Sequence, residues 1–299
     1  MTQPGHAVHR LSVLVCTRDR ATLLDGCLTA VRASLGPDDE LVVVDSASRD
    51  PDPIRAVVDR HGGRYVRADE PGLSRARNIA WAAASAPLVA FTDDDCRPSP
   101  GWADAVVAGF EDPQVDFVTG PVAADSDVRL PVSVVTARDA RRFGPGTDPT
   151  ACGAGANMAF RVEALEAVSG FDEMLGAGGP LRAGEDLDVF VRLLHQGRQG
   201  RYAPAATLDH VQWRSDGRAV ALGWNYGLGA GAVGMKAGRS GAGWTLLGQR
   251  LGRDGVLSVV RSLRERHWTG TATNVLQFAG AVTGALRTLR RPIETGRFA

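Results

Sequence analysis

The feature that most constrains the fold is a set of three short apolar runs in the first hundred residues. They read LSVLVC (residues 11–16), ELVVVD (40–45) and PLVAFT (87–92). Unbroken apolar runs of this length are typical of parallel strands buried on both faces. Helical spacing follows the first run, as at Leu24, Leu28 and Val31. This alternation predicts an α/β fold with a doubly wound, mixed or mostly parallel sheet and helices on both faces.

Weaker patterns extend this outline along the chain. Strands are predicted at residues 64–67, 115–119 and 156–161, and helices at 54–61, 74–85 and 185–197. The Gly-rich residues 144–155 and 176–184 are predicted loops, and the second is either a lid over a ligand or a plain connection. We expect a main domain over residues 8–235, with halves 8–125 and 126–235. A helical C-terminal extension over 236–299 follows it.

Composition narrows the class of protein. With 299 residues, 44% of them hydrophobic, and no formal net charge, the chain resembles an ordinary soluble globular protein and has no sign of nucleic-acid binding. The four cysteines lack CxxC spacing, which argues against a zinc site and favours reduced thiols. No apolar stretch reaches the roughly 18 residues of a spanning helix, and no signal peptide is evident, so we expect a cytoplasmic protein.

The C-terminal segment differs from the rest in charge. Residues 249–299 hold nine arginines and three acidic residues. Two stretches, 256–268 and 275–291, have an amphipathic pattern. A basic amphipathic helix can lie on an anionic membrane, here the inner membrane face. The alternatives are packing against the main domain or dimerisation through these helices.

A cluster of carboxylates follows the third apolar run. Because ligands of parallel sheets bind where the strands' carboxyl ends meet, Asp93, Asp94 and Asp95 are expected near residues 17–19 and Asp45. Adjacent carboxylates repel one another, and a hard divalent cation relieves the repulsion. Mn²⁺ and Mg²⁺ prefer such oxygens and often bind substrate phosphates as well. The cluster therefore predicts a metal and diphosphate site, with an exposed and idle acidic loop as the alternative.

Six segments, in order and in register, resemble motifs of family 2 glycosyltransferases, which have the GT-A fold. The resemblance extends from residue 11 to about residue 210. The segments are VLVCTRDRATLL (13–24), VVVDSAS (42–48), PGLSRARNIA (71–80), FTDDDC (91–96), GAGANMAFR with GFDE (153–161 and 170–173), and GEDLDVFVRLLHQG (184–197).

The resemblance implies a role for each matching position. It assigns nucleotide-sugar contacts to Thr17, Arg18, Asp19, Asp45, Arg77, Asn78, Asp93 and Asp94. It assigns metal binding to Asp95, Asp93 and His210. Asp186 would be the catalytic base, positioned by Glu185. Judged by residue type alone, Glu185 and Asp186 are also ordinary acids of a first helical turn, and His210 is an ordinary packed imidazole.

The resemblance also implies the reaction. It is the metal-dependent, inverting transfer of a sugar from a UDP-, GDP- or dTDP-sugar to an acceptor hydroxyl, with Mn²⁺ or Mg²⁺ as cofactor. Residues 8–125 would bind the nucleotide sugar and 126–235 the acceptor, which is a carbohydrate, a lipid-linked sugar or a secondary metabolite. Trp213, Trp224 and Tyr226 either stack on sugar rings or serve ordinary packing.

Two positions depart from the family pattern. Arg18 stands where many members have a tyrosine that stacks on the base, a contact that a guanidinium plane can also make. Ser46 and Ala47 replace Asn and Gly in the turn after the second strand. Two other functions stay open: a sugar nucleotidyltransferase, although the glycine-rich loop expected after the first strand is missing, and a non-catalytic nucleotide-sugar-binding scaffold.

Overall fold

The three apolar runs form neighbouring parallel strands at the centre of an eight-stranded sheet. The computed structural model describes residues 9–126, 133–213, 216–266 and 268–299, so the predicted domain start at residue 8 lies outside the described residues. The strands are, in chain order, β1 (Leu11–Thr17), β2 (Asp39–Ser46), β3 (Arg64–Ala68), β4 (Leu88–Asp93), β5 (Cys96–Pro98), β6 (Val115–Thr119), β7 (Val122–Ala124), β8 (Arg141–Phe143), β9 (Asn157–Arg161), β10 (Gln199–Tyr202), β11 (Leu208–His210), β12 (Ile293–Glu294) and β13 (Arg297–Phe298).

The main sheet has the order β3–β2–β1–β4–β9–β6–β10–β8. Its parallel pairs are β1–β2, β1–β4, β2–β3 and β6–β10, whereas β9 runs antiparallel between β4 and β6, and β8 pairs antiparallel with β10. A smaller sheet has the order β5–β11–β7, and it sets β5, which follows Asp95, beside the strand that ends at His210.

The α-helices are, in chain order, α1 (Ala21–Ser34), α2 (Asp52–Arg60), α3 (Leu73–Ala83), α4 (Trp102–Gly109), α5 (Val162–Ala167), α6 (Glu185–His195), α7 (Asp216–Arg239), α8 (Thr245–Leu251), α9 (Ser258–Arg264) and α10 (Trp268–Thr288). A 3₁₀ turn at Pro149–Ala151 lies inside the predicted loop 144–155, and a π-helical stretch at Gly252–Leu257 joins α8 to α9.

Two buried apolar clusters lie on opposite faces of the main sheet. Val13 and Val15 pack with α1, α2 and α4, whereas Leu14 and Cys16 pack with α3, α5 and α6. Successive side chains of a strand point to opposite faces, so both faces of the sheet are covered by helices. The predicted α/β fold with a mostly parallel sheet and a C-terminal helical region is confirmed. All four cysteines are free and buried.

Several elements differ from the sequence prediction or were not predicted. α4, the small sheet, the edge strand β8 and its neighbour β10 had no counterpart in the prediction. The amphipathic stretch 256–268 spans the end of the π-helical segment, all of α9 and the first residue of α10, and the stretch 275–291 lies mostly within α10. The predicted boundary between residues 235 and 236 falls inside α7.

Glycines hold α7 and α10 close together. A Cβ atom at Gly227 would overlap the carbonyl oxygen of Gln277, and one at Gly284 would overlap the carbonyl oxygen of Leu228. Side chains at these positions would therefore force the two helices apart. The two backbones touch because the facing residues are small, which is how this long pair of helices packs.

Lys236, the only lysine of the chain, ties α7 to the main sheet's helical layer. Its Nζ atom lies 2.6 Å from Asp172 Oδ2 and 2.6 Å from Asp188 Oδ1, and all three side chains are buried. The backbone amide of Phe298, in β13, also donates to Asp172 Oδ2, at 2.8 Å. Removing one partner of a buried, paired charge is costly, so these contacts anchor the C-terminal helices firmly. No described helix combines the length and apolar character that crossing a bilayer requires.

Candidate active site

A cavity of about 580 Å³ lies at the carboxyl edge of the main sheet, within the size range of small-molecule sites. Of the residues predicted from sequence, those that line it are Thr17, Arg18, Arg77, Asp93, Asp95, Glu185, Asp186 and His210. The predicted residues that do not line it are Asp19, Asp45, Asn78 and Asp94. The cavity thus brings the acids after β4 together with those that begin α6.

Arg77 is the buried link between these two groups of acids. Its NH1 donates to Glu185 Oε1 at 2.8 Å, and its NH2 donates to Asp93 Oδ1 at 3.1 Å and to the carbonyl oxygen of Gly155 at 3.2 Å. A guanidinium has five N–H donors in a fixed plane, so it can hold several acceptors at set angles. Arg77, on α3, therefore fixes the acids of β4 and α6 relative to each other.

Asp186 lines the cavity from the first turn of α6. Its Oδ2 accepts a hydrogen bond from the Gly155 amide at 2.8 Å, and its Oδ1 accepts one from the Leu187 amide at 2.8 Å. A Cβ atom at Gly155 would lie 3.1 Å from Asp186 Oδ2, so a glycine suits this close approach. The two amide donors therefore hold the Asp186 carboxylate in a fixed position at the cavity wall.

Glu185 has a different environment from Asp186, although the two are adjacent. It is buried, and burial raises the pKa of its carboxyl to about 7, against the opposing effect of the Arg77 guanidinium. Its carboxyl group contacts Arg77 inside the protein, away from bulk solvent. This arrangement suits a positioning residue better than a proton acceptor for a substrate.

Asp95 and His210 meet on the other side of the cavity. His210 Nε2 lies 3.3 Å from Asp95 Oδ1, while Trp213 Nε1 donates to Asp95 Oδ2 at 2.8 Å. Burial opposes ionisation of Asp95, but the His210 and Trp213 hydrogen bonds outweigh it and hold its pKa below the usual range. Asp95 is therefore a carboxylate at neutral pH.

A third potential ligand, Cys96, lies beside this pair. Ligand atoms of Asp95, Cys96 and His210 all lie within 4.8 Å of one another, and the three residues are buried. Burial raises the pKa of the Cys96 thiol well above its usual value, so the sulfur keeps its proton and is a poor ligand for a hard cation. The Asp95 carboxylate is the group that best fits Mn²⁺ or Mg²⁺ here, and the His210 imidazole is the candidate nitrogen ligand beside it.

Arginines compensate the acidic cluster more fully than the sequence suggested. Arg20 NH2 lies 2.7 Å from Asp94 Oδ1, and Arg20 NH1 lies 3.4 Å from Asp95 Oδ2. Asp94 is fully buried and accepts a hydrogen bond from Thr17 Oγ1 at 2.6 Å. Burial raises the pKa of Asp94 to about 7, with Arg20 opposing the shift. Repulsion between the carboxylates is therefore a weak argument for a metal, and the Asp95–His210 pair is a better one.

Asp45 is buried beside the cavity and accepts three hydrogen bonds from the protein. Its Oδ2 accepts from Arg67 NH1 at 2.7 Å and from the Tyr65 hydroxyl at 2.9 Å, and its Oδ1 accepts from the Ser48 amide at 2.8 Å. Both side-chain donors come from β3, the neighbouring strand. A contact between Asp45 and a base N–H stays a prediction.

The turn after β2 has a residue in the left-handed backbone conformation that favours glycine, although that residue is an alanine. Ala47 has φ +56°, the left-handed region in which an L-residue is strained by about 1–2 kcal/mol. The Ser48 hydroxyl accepts the Asp19 amide at 2.8 Å, and Asp19 Oδ1 accepts the Arg49 amide at 2.8 Å. The replacement of Gly by Ala at position 47 has therefore left the turn intact, and Asp19 joins the β1 and β2 loops.

Asn78 holds two segments of the chain together. Its amide nitrogen donates to the Phe171 carbonyl oxygen at 3.0 Å, and its amide oxygen accepts the Phe171 amide at 2.8 Å. The next loop along, residues 176–184, is likewise bonded to the start of α3, where the Leu73 amide donates to the Ala177 carbonyl oxygen at 2.8 Å. The loop therefore follows a hydrogen-bonded path beside the cavity.

The aromatic residues singled out in the sequence have separate positions. Trp213 hydrogen-bonds Asp95 as described, Tyr226 lines the cavity from α7, and Trp224 is half-buried and does not line it. Sequence reasoning missed the cavity residues Arg20, Arg182, Asn225, Arg250 and Gln277. Arg20 lies inside the 13–24 motif, two residues after Arg18, and Arg182 lies in the 176–184 loop that was considered as a lid, but no motif pointed to Asn225, Arg250 or Gln277.

Comparisons with known proteins identify the family of the chain. The family described as Glycosyl transferase family 2 matches residues 12–169. A pre-mycofactocin glycosyltransferase of Mycobacterium tuberculosis is 28% identical over 217 residues, which cover 69% of this chain and 44% of that protein. A validoxylamine A glucosyltransferase of Streptomyces hygroscopicus is 37% identical over 118 residues, covering 37% of this chain and 26% of that protein. The chain spans less than half the length of these curated relatives.

Two solved structures share the fold. A mannosyltransferase of Pyrobaculum calidifontis, in complex with GDP-Man and Mn²⁺, has a TM-score of 0.60 at 18% identity, over 95% of this chain and 88% of that chain. The 1–349 fragment of S. aureus TarS has a TM-score of 0.57 at 14% identity, over 96% and 95%. These likenesses confirm the expected GT-A type of fold. Because the family match covers more than half of the chain, this protein belongs to glycosyltransferase family 2.

Proposed function

We propose that this protein transfers a sugar from a nucleoside-diphosphate sugar to an acceptor hydroxyl, with a divalent metal ion and inversion at the anomeric carbon. The observation that carries the proposal is that Asp93, Asp95 and Asp186 line a single cavity at the carboxyl edge of the sheet. A metal-binding carboxylate and a candidate base in one cavity fit the two needs of this reaction, stabilisation of the leaving group and removal of a proton.

The proposed metal site consists of Asp95 and His210, with Asp93 close by. One carboxylate and one imidazole leave most coordination positions of Mn²⁺ or Mg²⁺ to water and substrate phosphates. When bound, the ion would act as a Lewis acid on the departing nucleoside diphosphate. The chain's own part is to keep Asp95 ionised, which the His210 and Trp213 hydrogen bonds favour. Donors of the UDP, GDP or dTDP type all fit this chemistry.

Asp186 is the proposed base. Its carboxylate is held by the Gly155 and Leu187 amides and faces the cavity, so it can accept the proton of an acceptor hydroxyl. Glu185 would act through Arg77, which orients the start of α6 against Asp93. A single displacement with one base gives inversion, and an acceptor that is a carbohydrate, a lipid-linked sugar or a secondary metabolite is compatible with it.

The relatives support the class of reaction. The Mycobacterium and Streptomyces proteins are glycosyltransferases by name, and the Pyrobaculum structure contains GDP-Man with Mn²⁺. Because the chain spans under half the length of the curated relatives, their acceptors do not indicate which acceptor this chain uses. Membership of the family also leaves no support for a sugar nucleotidyltransferase.

The test is a thermal-shift screen of UDP-, GDP- and dTDP-sugars with Mn²⁺, since a ligand of the native state raises Tm. The donor found is then assayed for metal-dependent hydrolysis and for transfer to a broad acceptor panel. We expect Asp186→Asn to bind this donor normally and to lose transfer. If donor binds and neither reaction occurs, the protein is a non-catalytic nucleotide-sugar-binding scaffold.

We also propose that α9 and α10 contact an anionic membrane surface. Of the eleven large apolar side chains exposed in the described part of the chain, nine follow residue 243, among them Trp244, Val260 and Trp268. The same region has six more arginines than acids from residue 249 onward. In a two-fold dimer the same basic surface of both copies would face each other, and repulsion between the like charges disfavours dimerisation here.

Vesicle sedimentation tests the membrane proposal. The full-length chain should bind vesicles with anionic lipid and not vesicles of phosphatidylcholine alone, because the arginines add an electrostatic contribution. Val256→Ser, Val260→Ser and Leu263→Ser together should release it. Equal binding to both vesicle types, or none to either, would contradict the proposal.

A further inference from the structure

The C-terminal helices form part of the wall of the catalytic cavity. Asn225 and Tyr226 on α7, Arg250 on α8 and Gln277 on α10 all line it. None of them belongs to the segment that matches the family, residues 12–169. Three separate helices thus present polar side chains to the space that also contains Asp186.

Arg250 has hydrogen-bonding capacity that the protein does not use. Its side chain is 19% exposed, and its NH1 donates to Asp254 Oδ2 at 3.1 Å. Its Nε atom is buried and has no hydrogen-bond partner among the described residues. A buried donor without a partner is unfavourable, and more so when it is charged. The exposed part of the Arg250 side chain lies at the cavity wall, where its remaining guanidinium donors are suited to a ligand that accepts hydrogen bonds.

The neighbouring amides are similarly free to bind a ligand. Neither the Asn225 nor the Gln277 side chain forms a hydrogen bond with any residue that the structure describes, and both are only half-buried at the cavity. Arg182, in the 176–184 loop, lines the same cavity and is exposed. Within the described ranges, Arg182 has no ion pair. This wall therefore offers several donors and two guanidinium groups.

The catalytic side of the cavity has a different charge balance. There Arg77 is paired with Glu185 and Asp93, and Arg20 with Asp94 and Asp95. Those guanidiniums are taken up by the protein's own acids. An anionic substrate group would find less competition at Arg250, which forms one ion pair in the described part of the chain, with Asp254, although the Asp148 carboxylate also lies within electrostatic reach.

We propose that Arg250, Asn225 and Gln277 form an acceptor subsite that binds an anionic group, a phosphate or a carboxylate, of the acceptor. Arg250 holds the anion through its guanidinium fork, which matches both groups in geometry. Asn225 and Gln277 hydrogen-bond the polar atoms beside it. The inference rests on the proposed function, because it assumes that donor and acceptor share this cavity.

The test uses Arg250→Gln, Arg250→Lys and the control Arg253→Gln. Arg253 suits as a control because it pairs with the same Asp254, at 3.3 Å, yet is 64% exposed and does not line the cavity. Calorimetry first measures binding of UDP, GDP and dTDP with Mn²⁺ to each protein. Sulfate, as a tetrahedral dianion, and acetate, as a carboxylate, are then titrated with the bound nucleotide kept at saturation.

We expect the wild type to bind one of the two anions. Arg253→Gln should bind that anion with the same affinity as the wild type. Arg250→Gln should weaken that binding about tenfold or more, as loss of a charged hydrogen bond predicts, and Arg250→Lys should give an intermediate loss. The anion preferred by the wild type tells a phosphate subsite from a carboxylate subsite. Unchanged anion affinity in both Arg250 variants, or no anion binding by the wild type, would overturn the subsite.

The nucleotide titration separates this inference from the proposed function. If Arg250→Gln weakens nucleotide binding itself, then Arg250 holds the donor diphosphate, and the acceptor subsite is wrong while the enzyme assignment stands. If the wild type binds no nucleotide with Mn²⁺, the proposed function fails. The same anion titrations on the protein without nucleotide then decide whether Arg250 forms an anion site at all.

Discussion

Arg77 and Glu185 form a buried ion pair, with 2.8 Å between NH1 and Oε1, that joins α3 to the first residue of α6. The other arm of the guanidinium reaches Asp93 at the end of β4, at 3.1 Å. One arginine thus sets the distance between the carboxylates near the proposed metal and the helix that carries the proposed base. The motifs that contain Arg77 and Glu185 are about a hundred positions apart in the sequence, and the Arg77 side chain brings them into contact.

Arg77→Gln should destabilise the protein strongly. It leaves Glu185 and Asp93 without their common partner, and breaking a buried ion pair typically costs about 3–5 kcal/mol. Urea unfolding should show a loss of that size. Arg64→Gln, which removes an exposed arginine bonded to the Ala83 carbonyl oxygen, should cost less than about 1 kcal/mol.

A double variant checks the cause of that loss. Arg77→Gln with Glu185→Gln should cost less than the sum of the two single changes, because the second change removes the charge that the first left unpaired. Additive losses would mean that Arg77 acts only through packing.

Glu185 should make stability depend on pH. Burial raises the pKa of its carboxyl to about 7 in the folded protein, above its value in the unfolded chain. The folded state therefore binds this proton more tightly, so the contribution of Glu185 is greatest at low pH and is lost as pH rises toward 7. Relative to Glu185→Gln, the wild type should lose up to about 1.4 kcal/mol per pH unit between pH 5 and 7.

Urea unfolding at several pH values measures that difference. Above pH 7 the two proteins should show parallel pH dependences, because Glu185 is then ionised in both the folded and the unfolded states. A wild type that gains stability relative to Glu185→Gln as pH rises would mean that Arg77, rather than burial, controls this carboxyl.

Ala47→Gly should stabilise the protein. Ala47 has φ +56°, and glycine removes the strain of about 1–2 kcal/mol while adding unfolded-state entropy worth about 0.4–1 kcal/mol. We expect a net gain of up to about 1.6 kcal/mol in the free energy of unfolding. Ala84→Gly is the control, because Ala84 has φ −66° and should only lose stability. A loss at position 47 equal to that at position 84 would contradict the strain.

Gly227→Ala should separate α7 from α10. The added Cβ would overlap the Gln277 carbonyl oxygen, and overpacking of this kind costs about 1–3 kcal/mol or more. Gly248→Ala in α8 meets no atom within 4 Å and should stabilise the protein by up to about 1 kcal/mol. Thermal unfolding measures the change in Tm of both variants. Equal changes would contradict a close backbone contact between α7 and α10 at Gly227.

Much of the sheet could be predicted because its central strands are continuous apolar runs in the sequence. The runs that became β1, β2 and β4 are apolar on both faces, so length and composition identify them without knowledge of the neighbours. α7 was missed for the opposite reason. Its glycines, among them Gly223, Gly227 and Gly231, lower helix propensity, and the helix forms because those glycines admit α10.

The site was predictable in its residues more than in their contacts. Asp95, Asp186 and His210 could be identified from motifs, and the cavity does bring them together. The partners of Asp45 could not be identified, because they depend on which residues of β3 lie beside β2. Arg250 and Gln277 lie outside every motif, so only the packing of the C-terminal helices brings them to the cavity.

The central claim is that Asp95 holds a divalent ion beside the donor's diphosphate. The most direct measurement is the rise in Tm that a nucleoside-diphosphate sugar causes with and without Mn²⁺, in wild type, Asp95→Asn and Asp209→Asn. Asp209 is the exposed neighbour of His210 on β11 and serves as the control. We predict that the Mn²⁺-dependent part of the shift is lost in Asp95→Asn and kept in Asp209→Asn. A shift that Asp95→Asn leaves unchanged would contradict the proposed metal site.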